Sequence, residues 1–404
     1  MSQPPMNLRV PGPTPLPDAI RAAGARQMVN HRGPEFKALL ARLSSGLQEQ
    51  FRTRDEVLIL SASGTGALEA AVVNHCSPGD PVLAVSIGAF GDRFAAIAER
   101  YGADVTHLAV AWGQAARGPA IGEALAGMRA AGRPARALLI THNETSTGVT
   151  NPLPELAAAA RAAEPEALLL VDAISGLGAV PFETDRWGLD VVATGSQKSW
   201  MCPPGLAMIS RSPRALAAAE RATMPRFYFD LAAARASAAK GETPWTPAVG
   251  ICFALEAALD LMEAEGFAAV FARHAACAAA TRAGLRAIGF RLFADPEHAS
   301  DTVTAVRLPD DLAWPGFSAA LRARGLIVAG GQGALAGRIF RVGHLGAVHL
   351  PDILAALEVI ETTVAELGWP VERGHALGEA VRAADAVVAG RERAPSGVPA
   401  AATA

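Results

Sequence analysis

The first half of the chain alternates short apolar runs with alanine-rich segments of helical composition. The apolar runs have the length of strands, and several are flanked by Gly, Pro or Asp: Val57–Leu60, Val82–Val85, Ala137–Thr141, Leu168–Val171, Val191–Thr194 and Ala207–Ile209. Strands that are apolar throughout are typical of a sheet buried on both faces. The pattern therefore predicts an α/β fold with a mostly parallel sheet covered by helices.

The second half follows a different pattern. Residues 211–250 are rich in proline and form a less regular connection, and a long Ala/Leu-rich helical stretch follows from about Ile251 to Leu285. After it we predict strands at Thr302–Val306, Leu326–Ala329 and Ile339–Val342, a helix near Phe317–Arg324, and a final helix from Pro351 to about Leu367. This mixture predicts a smaller α+β domain.

A chain of 404 residues is too long for one ordinary core and suits two domains. The segment Pro4–Pro17 is rich in proline, which predicts an extended arm instead of a helix. We therefore predict an N-terminal arm over residues 1–20, a large domain over 21–250 and a small domain over 251–389. Residues 390–404 lack apolar periodicity, which predicts a disordered tail.

Composition narrows the class of protein. Apolar residues make up 51% of the chain, charged residues 19%, and the net charge is −3 without any basic stripe, which argues for a globular protein that does not bind nucleic acid. No apolar run approaches the ~20 residues of a membrane span, and the segment MSQPPMNLRV lacks the apolar core of a secretory signal. The cysteines form no C-x-x-C pair, so we expect no metal and reduced thiols in a cytoplasmic protein: Cys76, Cys202, Cys252 and Cys277.

A glycine-rich turn, Ser61-Ala62-Ser63-Gly64-Thr65-Gly66, follows the first apolar run and opens a helical segment. Small residues let the backbone approach an anion, and the free N–H groups at a helix start favour phosphate. The hydroxyls of Ser63 and Thr65 can add hydrogen bonds. The spacing is neither G-x-G-x-x-G nor a P-loop, which argues against a dinucleotide or ATP. Such a turn can also serve only to reverse the chain.

Two chemically active side chains follow two later strands. Asp172 ends the run Leu168–Val171, and Lys198 follows Val191–Thr194 beside glycine and small polar residues. The carboxyl ends of parallel strands are where α/β sheets bind ligands. A carboxylate there can keep a pyridinium nitrogen protonated, and an amine of lowered pKa can condense with an aldehyde. Taken separately, the acid could be a helix cap and the lysine could be solvated.

A basic residue, Arg341, lies in Phe340-Arg341-Val342-Gly343-His344-Leu345-Gly346 of the second domain. A guanidinium grips a carboxylate through two parallel hydrogen bonds, which suits an amino acid or an oxo acid. A surface arginine on an edge strand is the alternative. For His344 we expect a structural role.

Together these segments resemble the class V aminotransferases of pyridoxal 5′-phosphate (PLP) fold type I, most closely the alanine–, serine– and aspartate–glyoxylate branch. The resemblance runs from PGPTPLP at Pro11–Pro17 to RVGHLG at Arg341–Gly346. It rests on the shared order of SGTGALEAA, HNETSTG, VDAISGLGAVP and TGSQK. It implies an enzyme that carries PLP as a Schiff base and moves an amino group from alanine, serine or aspartate to glyoxylate or a similar small 2-oxo acid.

The resemblance also assigns roles to residues. Lys198 matches the lysine that binds PLP and shuttles the proton, and Asp172 matches the partner of the pyridine nitrogen. Further matches to cofactor-binding positions are Ser63, Gly64, Thr65 and Gln197 at the phosphate, Phe90 and Ile174 on the ring faces, and Thr145 near the ring oxygen. Gly12 and Thr14 match a strip beside the substrate, and Arg341 matches the residue that binds the α-carboxylate.

The resemblance further implies a homodimer with shared active sites. Thr243 and Thr246 match positions that reach the phosphate of the neighbouring subunit. Many relatives have tyrosine at the first of these positions. His31 and Arg32 match a segment near the dimer interface and the site entrance, and Arg32 is a candidate for the second carboxylate of aspartate.

Two alternatives stay open from the sequence. The first is another fold type I PLP enzyme, such as a cysteine desulfurase or a lyase. A desulfurase needs a nucleophilic cysteine on a mobile C-terminal loop, whereas Cys252 and Cys277 lie in a stretch with helical periodicity. The second is a non-enzymatic relative that acts as an accessory subunit, which the presence of Lys198 and Asp172 disfavours.

Overall fold

The computed structural model describes residues 6–392. The strands are β1 (Asn7–Leu8), β2 (Val57–Leu60), β3 (Pro81–Ser86), β4 (Asp104–Ala109), β5 (Ala137–Thr141), β6 (Asn143–Glu144), β7 (Val149–Thr150), β8 (Leu168–Asp172), β9 (Val191–Gly195), β10 (Ala207–Arg211), β11 (Val303–Arg307), β12 (Leu326–Ile327), β13 (Ala329–Gly330) and β14 (Ile339–Gly343). The helices are α1 (Asp18–Gly24), α2 (Pro34–Phe51), α3 (Gly64–Val73), α4 (Ala89–Arg100), α5 (Gly118–Ala130), α6 (Leu153–Ala163), α7 (Pro213–Ala219), α8 (Leu231–Ala238), α9 (Val249–Glu265), α10 (Phe267–Ala287), α11 (Trp314–Ala323), α12 (Leu350–Glu366) and α13 (His375–Glu392).

A seven-stranded sheet in the order β2-β10-β9-β8-β5-β3-β4 forms the centre of the large domain. Strand β10 is antiparallel to both of its neighbours, and the other pairings are parallel. The predicted α/β class with a mostly parallel sheet is therefore confirmed. Because β2 and β9 both oppose β10, the carboxyl ends of β2, β3, β5, β8 and β9 lie at one edge of the sheet.

Helices cover both faces of this sheet. Along β5, Leu138 and Ile140 pack on one face with α2, α5, α6 and α9, whereas Ala137 and Leu139 pack on the other with α3, α4, α7 and α8. Successive strand residues point to opposite faces, so a strand with two buried faces has to be apolar at every position. This is the physical reason why the apolar runs predicted these strands well.

The C-terminal part contains a smaller antiparallel sheet in the order β11-β14-β13, packed against α10, α11, α12 and α13. The N-terminal arm joins this part, because β1 pairs with β12 in parallel. Helix α9 packs on the large core, whereas α10 packs mostly in the small one. The chain turns between the two helices at Gly266, which has φ +84°. We therefore propose Gly266, and not residue 251, as the domain boundary.

Other sequence predictions need correction. The helical stretch expected from Ile251 to Leu285 is two helices, and the irregular connection over 211–250 contains α7 and α8. The helix that ends at Glu366 is followed by α13, which continues to Glu392, so residues 390–392 of the expected tail are helical. Residues 393–404 lie outside the described part of the chain. Strand β4 was not predicted, because this edge strand is partly exposed and carries polar residues.

Within residues 6–392, every helix is too short or too polar to span a lipid bilayer.

Candidate active site

A cavity of about 280 Å³ lies at the sheet edge where the parallel strands end. Most of the predicted site residues line it, although they come from segments far apart in the chain: Gly12, Ser63, Gly64, Thr65, Phe90, Thr145, Asp172, Ile174, Gln197 and Lys198. The segment after β2 supplies the glycine-rich turn, β8 ends in Asp172, and the loop after β9 carries Gln197 and Lys198.

The N-terminal arm positions the lysine. The Nζ atom of Lys198 donates a hydrogen bond of 2.7 Å to the carbonyl oxygen of Pro11, and the Oγ1 atom of Thr14 donates one of 2.9 Å to the carbonyl oxygen of Lys198. Gly12 has φ +127°, and a Cβ atom there would lie 2.7 Å from Lys198 Cδ and 2.8 Å from its Nζ. Gly12 is thus required for the close approach, whereas Thr14 does not line the cavity and bonds to the lysine backbone instead.

Burial shifts the pKa values of both ionisable partners. It lowers the pKa of Lys198 to about 8, although the negative charge of Asp172 opposes this change. It raises the pKa of Asp172 to about 7, against a hydrogen bond of 2.9 Å that the Ile174 N–H donates to Oδ1. Removal from water disfavours each charged form. The result is a lysine that can lose its proton close to neutral pH, as a nucleophilic amine requires.

The turn before α3 forms an anion cradle. Ser63 is the N-cap of the helix, and its Oγ atom accepts a hydrogen bond of 3.4 Å from Gly66 N–H. Gly64 packs closely against Ile174, since a Cβ atom at this glycine would lie 2.7 Å from Ile174 Cδ1. The buried Oε1 atom of Gln197 has no hydrogen-bond partner in the described part of the chain. The backbone N–H groups at the start of α3 are neutral donors at the positive end of a helix dipole, and the side-chain amide of Gln197 can donate through its Nε2 atom, so this turn fits a phosphate.

Glu144 anchors the segment that carries Phe90, and the sequence analysis missed it. Its Oε2 atom accepts hydrogen bonds of 3.1 Å from the N–H groups of Phe90 and Gly91, and its Oε1 atom accepts two more from Ser146. Burial raises the pKa of Glu144, whereas these hydrogen bonds oppose the rise. An acid inside HNETSTG, directly after a buried strand, was the available signal.

Arg93 is a second residue that the sequence analysis missed. It lies one helical turn after Phe90 on α4, lines the cavity, and places its guanidinium carbon 4.8 Å from the centre of the Phe90 ring. The spacing of three residues in G-A-F-G-D-R could have indicated it, because residues three apart on a helix are neighbours.

Arg341 lies beside the cavity and not in its lining. It is buried on β14, where Nε and Nη2 donate to the carbonyl oxygen of Gly330 at 2.9 and 2.7 Å. Its Nη1 atom donates to the carbonyl oxygen of Thr145 at 3.2 Å, and Thr145 does line the cavity. Burial lowers the pKa of Arg341 to about 10, so the group stays charged at neutral pH.

Thr243 and Thr246 do not reach the cavity of their own chain. The Oγ1 atom of Thr243 donates a hydrogen bond of 2.7 Å to the carbonyl oxygen of Trp245, in a groove that Tyr228 also lines. Thr246 is exposed. This placement is compatible with the expectation that they serve a neighbouring subunit.

The basic segment at the predicted entrance also lies apart from the cavity. Arg32 forms a salt bridge of 2.8 Å with Glu242, and His31 is partly exposed. His344 is buried, and its Nε2 atom lies 2.8 Å from the Oγ1 atom of Thr304. Its bonded ring agrees with a structural role.

The cysteines are buried and free. Cys252 lies in α9 and Cys277 in α10, and burial raises their pKa values to about 12 and about 11. Neither thiol lies on a loop, as the nucleophile of a desulfurase would. The described side chains include no group of three or more His, Cys, Asp or Glu arranged to hold a metal ion.

The residues present fit PLP. The neutral cradle suits its phosphate, Asp172 suits its ring nitrogen, and the Lys198 amine suits its aldehyde carbon. A buried lysine, a buried aspartate and an anion cradle at the carboxyl edge of a mostly parallel sheet define a PLP-dependent enzyme of fold type I. The model of the family "Aminotransferase class-V" matches residues 19–344, and the chain belongs to this family. It is a PLP-dependent transaminase.

Relatives of known name cover nearly the whole chain. The chain is 43% identical to the "Soluble hydrogenase, small subunit" of Synechococcus sp. (strain PCC 6716) over 363 residues, which are 90% of this chain and 94% of that protein. It is 37% identical to the L-aspartate–glyoxylate aminotransferase of Paracoccus denitrificans over 92% of this chain and 94% of that protein. The crystal structure of an alanine–glyoxylate aminotransferase from Nostoc sp. matches with a TM-score of 0.85 and 30% identity, over 90% of this chain and 96% of that one.

Proposed function

We propose that this transaminase moves the amino group of a small amino acid, namely alanine, serine or aspartate, to glyoxylate or a similar small 2-oxo acid. The observation that carries the proposal is the shared cavity of Lys198, Asp172 and the anion cradle. Relatives named for aspartate, serine and alanine as donors have glyoxylate in common as the acceptor.

In this proposal Lys198 holds the cofactor and then carries the proton of the substrate α-carbon. Its lowered pKa makes the amine available as a base near neutral pH. Bound PLP supplies an electron sink for the α-carbon. With PLP bound, Asp172 would keep the ring nitrogen charged, Phe90 and Ile174 would pack on the ring faces, and Thr145 would contact the ring oxygen.

The remaining roles concern binding. Ser63, Gly64, Thr65 and Gln197 hold the phosphate. Arg341 binds the substrate α-carboxylate beside Thr145, since its charge is buried and its hydrogen-bond partners among residues 6–392 are neutral carbonyl oxygens. We expect Arg341→Ala to raise KM for every carboxylate substrate. Arg341→Lys is the matched control, because it keeps the charge and loses the two-pronged geometry. An unchanged KM in both variants would remove this role.

We also propose a cytoplasmic homodimer with shared active sites. Four buried, free cysteines suit a reducing compartment. Thr243 and Thr246 flank Trp245, which packs against Phe227. Phe227 is 75% exposed, and large exposed aromatic side chains are typical of the surface that a second subunit covers. Light scattering would measure the mass of the particle. Lys198→Ala subunits can also be mixed with Thr246→Ala subunits. If each site takes Lys198 from one subunit and Thr246 from the other, a hybrid dimer has one site with both native residues, and the mixture should regain activity.

The donor and the acceptor can be identified separately. Single amino acids are mixed with the holoenzyme, and the loss of the visible absorbance band of bound PLP is recorded for each. Adding one 2-oxo acid at a time then shows which acceptor restores the band. We expect alanine, serine or aspartate to bleach it and glyoxylate to restore it.

Two controls accompany this experiment. Lys198→Ala should give no multiple turnover. Incubation with cysteine should release no sulfide, because sulfide would instead indicate a desulfurase. A band that no amino acid bleaches would contradict the proposed function.

A further inference from the structure

We infer that Arg93 is the cationic ligand of the phosphate group in the cradle, next to Thr65. The inference rests on the proposed cofactor roles of Ser63, Gly64, Thr65 and Gln197. It adds a charged group to a set in which all these members are neutral.

The position of Arg93 supports this role. Its Nη1 atom lies 3.5 Å from the Oγ1 atom of Thr65, the residue at the start of α3. The same cavity is lined by Arg93, Ser63 and Gly64. Arg93 is exposed, and its guanidinium carbon lies 4.8 Å from the Phe90 ring centre, a cation–π contact that favours this position of the flexible side chain.

The charge of Arg93 is available. Among the described side chains no carboxylate forms a salt bridge with Arg93. The carboxylate next to it in the sequence, Asp92, instead accepts a hydrogen bond of 2.5 Å from the Ser86 hydroxyl. Its field reaches the site, since the positive charge helps to lower the pKa values of both Asp172 and Lys198. A phosphate dianion in the cradle would find neutral donors and the Arg93 guanidinium, and guanidinium groups bind phosphate through paired hydrogen bonds.

Arg341, the other arginine close to the site, is not a substitute. It donates to the carbonyl oxygens of Gly330 and Thr145 and lies outside the cavity lining. The two guanidiniums therefore divide the anions between them, with Arg93 at the cofactor phosphate and Arg341 at the substrate carboxylate.

The test compares two ligands that differ only in phosphate. Apoprotein of the full chain is titrated with PLP and with pyridoxal, and Kd is measured for wild type, Arg93→Gln, Arg93→Lys and Arg100→Gln. Arg100 is the matched control, because it lies on the same helix, is exposed and does not line the cavity. Circular dichroism of each variant checks that it is folded.

We expect Arg93→Gln to weaken PLP binding about tenfold and to leave pyridoxal binding nearly unchanged, because one charge-assisted hydrogen-bonded contact is lost. Arg93→Lys should recover part of the loss, and Arg100→Gln should behave as wild type. Inorganic phosphate should compete with PLP for the wild-type apoprotein and compete more weakly for Arg93→Gln.

Several results would overturn the inference. Equal loss of PLP and pyridoxal affinity would mean that Arg93 supports the pocket and not the phosphate. Unchanged PLP affinity with a selective rise in KM for aspartate, but not for alanine, would assign Arg93 to the second carboxylate of a dicarboxylic substrate. These outcomes differ from failure of the proposed function, in which even the wild-type protein would not bind PLP.

Discussion

The lowered pKa of Lys198 predicts how fast the apoprotein captures PLP at each pH. Only the neutral amine attacks an aldehyde. With a pKa of about 8, about one Lys198 amine in ten is neutral at pH 7, whereas roughly one in three thousand is neutral for a lysine of pKa 10.5. Burial therefore raises the reactive fraction about 300-fold at this pH, by the ratio of these two fractions.

The assay is stopped-flow absorbance of apoprotein mixed with PLP between pH 6.5 and pH 10, with Nα-acetyl-lysine, whose only amine is the ε-amine, as the reference. We expect the rate constant for the protein to rise about tenfold per pH unit below pH 8 and to level off above it, as the neutral fraction does. The rate for Nα-acetyl-lysine should keep rising through the whole range. A rate that continues to rise up to pH 10 in the protein would refute the structural origin of the shift.

Asp172→Asn provides a second check on the same reasoning. The carboxylate of Asp172 favours the charged form of the lysine and so raises its pKa. Removing it should move the bend in the pH profile below that of the wild type, whereas the surface variant Arg100→Gln should leave the bend in place. A bend that moves to higher pH in Asp172→Asn would contradict the proposed interaction.

Three further predictions concern stability and geometry. Because burial raises the pKa of Asp172 to about 7, ionisation costs the folded apoprotein stability as the pH rises from about 4 to about 7. Asp172→Asn should therefore raise the free energy of unfolding in urea by roughly 2–4 kcal/mol at pH 8, and a similar gain at pH 3.5 would disprove this cause. Glu144→Gln should lower the free energy of unfolding by about 1–3 kcal/mol and weaken the visible circular dichroism of bound PLP, whereas the exposed Glu123→Gln should change neither. An unchanged spectrum in Glu144→Gln would show that Glu144 does not position Phe90. Gly12→Ala should slow PLP capture at least about tenfold through strain at φ +127°, unlike Gly127→Ala, and wild-type rates would show that the arm can move away.

The sequence alone determined the architecture of the large domain. Val57–Leu60, Ala137–Thr141 and Leu168–Val171 are apolar at nearly every position, and a strand buried on both faces needs this composition. The same logic predicted where Asp172 and Lys198 would meet, because parallel strands bring their carboxyl ends to one edge. Local chemistry was enough for these features.

Local chemistry was not enough where a segment is partly exposed or where its backbone turns. Strand β4 carries polar residues at the sheet edge, so it lacks the apolar pattern of the inner strands. Helices α9 and α10 were predicted as one helix, because a single glycine in a helical pattern does not by itself indicate that the helix ends. Helix α13 was not predicted, because the helix before it was taken to be the last one in the chain.

Only the tertiary structure decided the electrostatics of the site. Three contacts join segments that are distant in the sequence: the one between Lys198 and Pro11, the two hydrogen bonds that Phe90 and Gly91 donate to Glu144, and the approach of Arg93 to Thr65. A pKa depends on the water excluded and on the charges within a few ångströms, and these distances exist only after the sheet and the arm have packed. The residue types that can do the chemistry are written in the chain, whereas their reactivity arises from burial.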